Sequence, residues 1–356
     1  MPDHIFSVLD LHNKMNGLWI AILLFLIFLL KLLWKKAALW NVNFVQYSGK
    51  QRVHEGEVPR IGGLLIFITL ILFSFSSSDL SFSQPLQLML LSVLPMMIVT
   101  VKEDLLHNMS FKTRLIALII SSFLLLNLAV DSFPVVNDIP LISNLFHYPL
   151  FSFCFFMICL VALANGCNFI DGMNGLLGFY MLGSLVSCLQ LTYIVNDQSM
   201  AQYILVYAIL IIFFLVSNFP MGKVFMGDSG AYLMALLLGV WVIIFFSIHY
   251  SISSWNAVII FFYPIIEATY SIVRKLSQKK SPFHADREHL HLKIFDILNA
   301  SLNKPRLANN LTTIFLALFW LVPPLILPLI YDSQLLIIIG LVILSSSYIT
   351  LNLVIP

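Results

Sequence analysis

Apolar residues in this chain fall into long blocks of roughly 17 to 22, separated by short polar stretches. A block of that length matches the ~20 residues a helix needs to cross a ~30 Å hydrocarbon core. Eleven blocks run at approximately 17–34, 62–77, 85–101, 114–130, 149–164, 175–192, 202–219, 230–247, 254–273, 313–330 and 335–354. The block at 62–77 is the least defined, because its far end runs into the serine-rich stretch Phe73–Ser83. The pattern predicts an all-α, polytopic integral membrane protein of about eleven transmembrane helices, forming a single domain over residues 1–356.

Charge alternates between the gaps. One set holds Lys35, Lys36, Lys50, Arg52, Arg60, Lys102, Lys112, Arg114, Lys223, Arg274, Lys275, Lys279, Lys280, Arg287, Lys293, Lys304 and Arg306. The other set holds only Lys14 among basic residues, and carries Asp79, Asp131, Asp138, Asp197 and Asp332. Basic loops mark the cytoplasmic side. The expected topology therefore has a periplasmic N-terminus, a cytoplasmic C-terminus and an odd number of spans. The first block is longer than a signal-peptide core and is followed by Lys35 and Lys36, which predicts a retained helix.

Composition sharpens this reading. The chain is 60% hydrophobic and 10% charged, against roughly a quarter charged for a soluble domain. A net charge of +2 without a basic tail excludes a nucleic-acid binder. Cys154, Cys159, Cys167 and Cys188 form no CxxC pair, which argues against a zinc site or disulfide framework.

The most polar motifs all lie in the basic gaps, at about 35–61, 102–113, 165–174, 220–229 and 274–312. In NGCNFIDGMNG (Asn165–Gly175), Asn165, Asn168 and Asp171 are spaced three apart and share a face of a helical turn. Gly172 and Gly175 then break the helix and admit a ligand. The set suits a metal–nucleotide site. A polar loop with Asx turns and a cap at Asn174 fits the same residues. In VFMGDSG, Asp228 sits at the start of a span, where a carboxylate serves as a helix cap or, with substrate phosphates, as a Mg²⁺ ligand. Glu103 and Asp104 are adjacent acids at a span end, so both serve one site only if the helix stops there. Arg287, His289 and His291 form an RxHxH set suited to a diphosphate. A basic loop that only sets topology is the plainer alternative. Glu267 lies within a span, three residues after Pro264, as a functional group or a partner for Arg274. His54, Arg60 and the glycine pair of VPRIGG either cradle a phosphate or permit close helix packing.

Order, spacing and common sidedness of these motifs resemble the polyprenyl-phosphate N-acetylhexosamine-1-phosphate transferases. These membrane enzymes initiate O-antigen, common-antigen and teichoic-acid synthesis, and include the phospho-MurNAc-pentapeptide translocase. The resemblance runs from PRIGG near residue 60 to HLH near 290. It implies transfer of a sugar 1-phosphate from a UDP-N-acetyl sugar, UDP-GlcNAc favoured, to undecaprenyl phosphate, with UMP released. It implies Mg²⁺, with Mn²⁺ as an alternative, held by Asp228 with Asn168. Phe225 resembles the ring stacked on uracil, and Asp171, Asn174 and Asn165 line the nucleotide pocket. Glu103 and Asp104 resemble the catalytic acid pair near the acceptor phosphate, with Asp171 beside them. Arg287, His289, His291 and Arg60 take the diphosphate, and Glu267 and His54 the lipid phosphate or a structural role.

The expected location is the bacterial inner membrane with the active site on the cytoplasmic face. The resemblance leaves a homodimer open. Three departures stand out: Glu103 replaces the usual first aspartate, Leu292 replaces the last histidine of HxHH, and Asn174 replaces a second aspartate. The last two features point to O-antigen-type initiators. A direct in-line attack by the lipid phosphate is the expected mechanism, and a covalent aspartyl-phosphate path is the alternative. A transporter or lipid flippase shares the many spans, but transporters place polar groups at the midplane of related halves. Here they cluster at helix ends, and the sequence shows no internal repeat.

Overall fold

The computed structural model describes residues 58–76, 80–134, 136, 143–281 and 287–355. The predicted first span, His54 and His284 lie outside the described residues. The described residues form helices without a strand: α1 Gly62–Ser76, α2 Leu80–Ser92, α3 Leu94–Leu106, α4 Phe111–Ala129, α5 Pro149–Ile170, α6 Leu176–Ile194, α7 Gln198–Asn218 and α8 Gly227–Ile248. They continue as α9 Asn256–Ile260, α10 Phe262–Ser277, α11 Leu290–Leu302, α12 Pro305–Phe315, α13 Ala317–Trp320, α14 Val322–Ile330 and α15 Gln334–Val354.

Each of the ten predicted blocks within the described residues coincides with helix. Not all are single long spans. Six helices are long and apolar enough to cross a membrane, or up to eight if each bent pair counts as one span. The breaks have local causes. Pro95 cannot donate to the preceding turn, and α2 and α3 meet there at 57°. Freed by this break, the Met96 amide donates to Ser121 Oγ on α4 at 3.0 Å. Pro264 likewise leaves the Ile260 carbonyl without its helical partner. Ser184 Oγ and Tyr180 Oη on α6 donate to it instead, at 3.1 and 3.3 Å.

The core centres on α8. Its residues are buried from Gly227 to Ile243, and α1, α3, α4, α5 and α6 pack around it. Around the periphery the exposed side chains are largely apolar, including Ile98, Ile158, Val216, Leu325 and Leu353. An apolar outer surface over a packed interior is what a lipid solvent selects. α1 and α8 approach each other closely. A Cβ on Gly63 would overlap the Gly230 backbone, so two glycines let the helices touch main chain to main chain.

Five helix ends meet at one end of this bundle. They are the entry to α1, the C-terminus of α3, the N-terminus of α4, the C-terminus of α5 and the N-terminus of α8. At the opposite end, Asp197 caps α7 through the Met200 amide (2.9 Å) and pairs with His249 Nε2 (2.9 Å).

Candidate active site

The segment before α1 fixes the entry to α8. Phe225 N donates to Pro59 O (2.9 Å), Gly62 N to Phe225 O (3.0 Å) and Gly63 N to Met226 O (2.9 Å). Gly227 then adopts φ +76° and α8 begins. Its first amides need acceptors. Asp104, reaching from the end of α3, takes the Asp228 amide on Oδ1 and the Ser229 amide on Oδ2, both at 2.9 Å. Asp228 is therefore not the cap of its own helix. Asp104 caps it from another helix, and the Asp228 side chain is left for other partners.

Those partners are two arginines. Arg60 Nη2 donates to Asp228 Oδ1 at 3.0 Å, and its Nε lies 3.5 Å from Asp104 Oδ1. Arg114 Nη1 donates to Asp228 Oδ2. The acids are almost fully buried, while the arginine side chains are 24% and 21% exposed. Asp171, the C-cap of α5, completes the cluster. Burial pushes its carboxyl up to about 7; Asp228 and Asp104 add to this, against Arg60 and the Gly227 amide. Asn165 and Asn168 both meet Tyr232, one turn into α8. Asn168 Nδ2 donates to its oxygen at 3.4 Å, and Tyr232 donates to Asn165 Oδ1 at 3.3 Å.

Glu103 acts on this cluster through its charge, which reaches Arg114, while its carboxylate is held elsewhere. His107 closes α3 with φ +49°, and the chain turns so that Glu103 Oε2 accepts from the Met109 amide at 2.7 Å. Glutamine offers the same acceptor oxygen. Glu103→Gln is therefore expected to keep UMP release within about threefold of wild type and shift the melting temperature by only a degree or so. A loss beyond about thirtyfold in that assay would return Glu103 to the chemistry.

Asn174 does not cap a helix either. Gly175, at φ +78°, is the N-cap of α6. Asn174 is buried against α12: its amide donates to Asn309 Oδ1 (2.7 Å), its Nδ2 to Asn310 Oδ1 (3.2 Å), and its carbonyl accepts from Thr313 Oγ1 (2.7 Å).

The two histidines of the RxHxH set stack on each other, ring centroids 5.7 Å apart, while Arg287 stands apart from them. Arg287 pairs with Asp296 at 2.6 Å on the outside of α11. His289 Nδ1 contacts Glu267 Oε1 at 2.9 Å, both buried, so the partner of Glu267 is His289 and not Arg274. His291 packs on Gly172, where a Cβ would come within 2.5 Å of its Nε2. That contact places it against the Asp171 turn. Burial pushes His291 down from its usual 6.5 to about 4, with Glu267 opposing and His289 reinforcing. Between those values the unfolded chain binds more protons, so stability falls as pH drops from 6.5 toward 4. The expected loss is a few kcal/mol at the low end, and His291→Gln should flatten that stretch of the melting profile.

Arg114 and Tyr232 are site residues that the motif reading left out. Arg114 did carry a signal. It lies in the first turn of α4, where a cation opposes the helix dipole, which calls for an anion from elsewhere in the fold. Tyr232 carried none beyond its i+4 spacing from Asp228.

Fold and site together define a multi-pass membrane protein with a charged centre of acids and arginines built at converging helix ends. Residues 86–246 match the family described as glycosyl transferase family 4. An undecaprenyl-phosphate alpha-N-acetylglucosaminyl 1-phosphate transferase of Thermotoga maritima is 30% identical over 254 residues, covering 70% of this chain and 72% of the relative. A probable undecaprenyl-phosphate N-acetylglucosaminyl 1-phosphate transferase of Bacillus subtilis is 22% identical over 258 residues, covering 70% and 69%. A decaprenyl-phosphate N-acetylglucosaminephosphotransferase of Mycobacterium tuberculosis is 24% identical over 285 residues, covering 72% and 70%. The chain belongs to this family of polyprenyl-phosphate N-acetylhexosamine-1-phosphate transferases.

Proposed function

We propose that this protein transfers N-acetylglucosamine 1-phosphate from UDP-N-acetylglucosamine to undecaprenyl phosphate, on the cytoplasmic face of a bacterial inner membrane. The observation that carries the reading is the Asp104–Asp228–Arg60–Arg114 cluster at the α8 N-terminus. The relatives' names supply the substrates. Support for the orientation comes from the basic loops, which share the site's side of the chain, and the eleven-span topology with a periplasmic N-terminus belongs to the same proposal. O-antigen initiation is the favoured pathway, on the HLH and DGMNG sequences.

In this reading an oxygen of the lipid phosphate attacks the sugar-bearing β-phosphorus in line. A new P–O bond forms to the lipid phosphate as the bridging P–O bond to the α-phosphate breaks. UMP leaves with the bridging oxygen and its electron pair. The chain's contribution is positioning and charge. Arg60 and Arg114 meet the oxygens where charge accumulates, and the positive end of α8 adds to their field. Asp171 and Asn168 hold the nucleotide side of the site, with Phe225 against the uracil. His291 braces the Asp171 turn, and Glu267 fixes His289 beside it. A phosphate monoester is largely dianionic at neutral pH, so Asp104 need not deprotonate the acceptor.

Mg²⁺ is part of the proposed reaction, where it would supply charge neutralisation of the diphosphate. The residues as arranged do not fit it. Both Asp228 oxygens are held by arginines and both Asp104 oxygens by amides. Among the described residues no group of three His, Cys, Asp or Glu side chains could hold a metal ion.

Membranes containing the protein, given undecaprenyl phosphate, Mg²⁺ and a panel of UDP-sugars, should release UMP with UDP-N-acetylglucosamine at least about tenfold faster than with UDP-glucose. Release from no UDP-sugar by folded protein would refute the reading.

A further inference from the structure

In the sequence, Lys293 is one of the basic residues that mark sidedness. In the structure it also joins two helices. It lies in the first turn of α11, two residues after His291. Its Nζ donates to the Asn352 carbonyl at 3.0 Å and to the Ile355 carbonyl at 3.1 Å. Both carbonyls belong to the end of α15. There a helix leaves its last acceptors without donors of its own and carries partial negative charge. Lys293 therefore caps α15 from another helix, and ties the last helix to the segment that carries His289 and His291.

A second contact reaches the same segment from α15. Much of this helix faces outward, yet Tyr348 and Asn352, one turn apart, are buried. They face α10, where Tyr263 and Glu267 are likewise one turn apart and buried. The Tyr348 hydroxyl acts on the Glu267 carboxylate at short range, and the Asn352 side chain acts on Tyr348. His289 Nδ1 takes Glu267 Oε1. Glu267 Oε2 and Tyr348 Oη are both buried without a well-aligned hydrogen bond. Keeping an acceptor and a donor in that condition costs stability, so a role other than stability is the better account of them. Tyr348 is the hydroxyl placed to serve the second oxygen of Glu267.

We propose that Lys293 and Tyr348 are positioning residues of the transferase site, through which α15 holds the histidine pair in place. Lys293 pins α11 to the end of α15, and Tyr348 steadies Glu267. Glu267 orients His289, His289 stacks on His291, and His291 lies against Gly172 beside Asp171. These contacts form an unbroken run from the last helix to the nucleotide side of the site, and packed runs of this kind carry coupling between distant elements. Neither Lys293 nor Tyr348 stands among the reacting groups. The inference rests on the transferase reading for the role of the Asp171 turn, but not for the tether itself.

Two measurements on the full chain in detergent test this. One is the rate at which diethyl pyrocarbonate modifies His289 and His291 without substrate, followed by peptide mass spectrometry. The other is steady-state UMP release. His289 and His291 are 3% and 2% exposed, so wild type is expected to react slowly. Lys293→Met is expected to react at both histidines at least about fivefold faster, because the segment opens more often. It should also raise the KM for UDP-N-acetylglucosamine at least about fivefold, with the KM for undecaprenyl phosphate within about twofold of wild type. Tyr348→Phe should move both readouts the same way by at least about twofold, and it carries the test if Lys293→Met does not fold. Lys293→Arg keeps a cation at the helix end and should stay within about twofold of wild type in both. A merely structural loss would lower kcat through the amount of active protein and leave KM unchanged. Wild-type histidine reactivity in folded Lys293→Met or in Tyr348→Phe would overturn the tether. Faster modification with an unchanged KM for the UDP-sugar would overturn the positioning role. Absence of UMP release by the wild type removes the transferase reading, while histidine reactivity still decides the tether.

Discussion

Asp228→Asn is expected to lower UMP release at least about 100-fold while leaving a folded protein in the membrane. The activity loss follows from position. Asp228 is the carboxylate on which both arginines converge, at the positive end of the most buried helix. Removing one preorganised charged group from such a centre typically costs 10²- to 10³-fold, about 2.7–4 kcal/mol. The fold survives because Asp228 does not hold its own helix. Asp104 caps α8 through the main-chain amides, which the substitution leaves in place. Arg60 and Arg114 reach solvent in part, so the lost ion pairs should cost roughly 1–3 kcal/mol, below the range for a fully buried pair. UMP release measured beside a thermal melt separates the two effects. Wild-type activity in this variant would take Asp228 out of the mechanism.

Gly63→Ala is expected to have the largest effect on folding. The new methyl would fall on the Gly230 main chain, close to Ser229 Oγ. Backbone cannot move aside as a side-chain tip does, so α1 would have to slide off α8. That shift would also strain the Gly62–Phe225 and Gly63–Met226 hydrogen bonds. Overpacking ordinarily costs about 1–3 kcal/mol and sometimes more; a main-chain clash belongs at the upper end. The protein should fail to accumulate, or melt at least about 5 °C lower. Gly340→Ala provides the contrast, since its Cβ would meet only side-chain atoms at 3.5 Å and beyond. A Gly63→Ala protein that melts with wild type would show that α1 and α8 do not depend on this contact.

These residues also show what sequence reading reached. PRIGG left two readings open, phosphate cradle and helix packing, and the structure uses it for charge and packing together. Arg60 enters the acid cluster while Gly63 seats α1 on Gly230. The NxxNxxD spacing put three polar groups on one face. The structure keeps Asn165 and Asn168 there against Tyr232, but ends the helix at Ile170 so that Asp171 turns toward Gly227. Glu103 and Asp104 looked alike in sequence. They part because the helix ends two residues later, sending one carboxylate to Met109 and the other to α8. The RxHxH set was legible as a group; the structure keeps its two histidines stacked together, one on Glu267 and one on Gly172, and sends Arg287 to an outer ion pair.

The sequence by itself determined the helical class, the membrane setting and the five polar gaps from which the site is drawn. Block length and charge alternation follow from local rules of bilayer thickness and helix rise, so they can be read without knowing which helices touch. Tertiary structure alone decided the pairings: Asp104 as the cap of a distant helix, Arg114 as the second cation on Asp228, and His289 as the partner of Glu267. Those depend on which helix ends converge, which is set by the close approach of α1 to α8 and by the proline breaks. Such contacts join residues from 22 to 125 positions apart, and no local pattern in the chain records them.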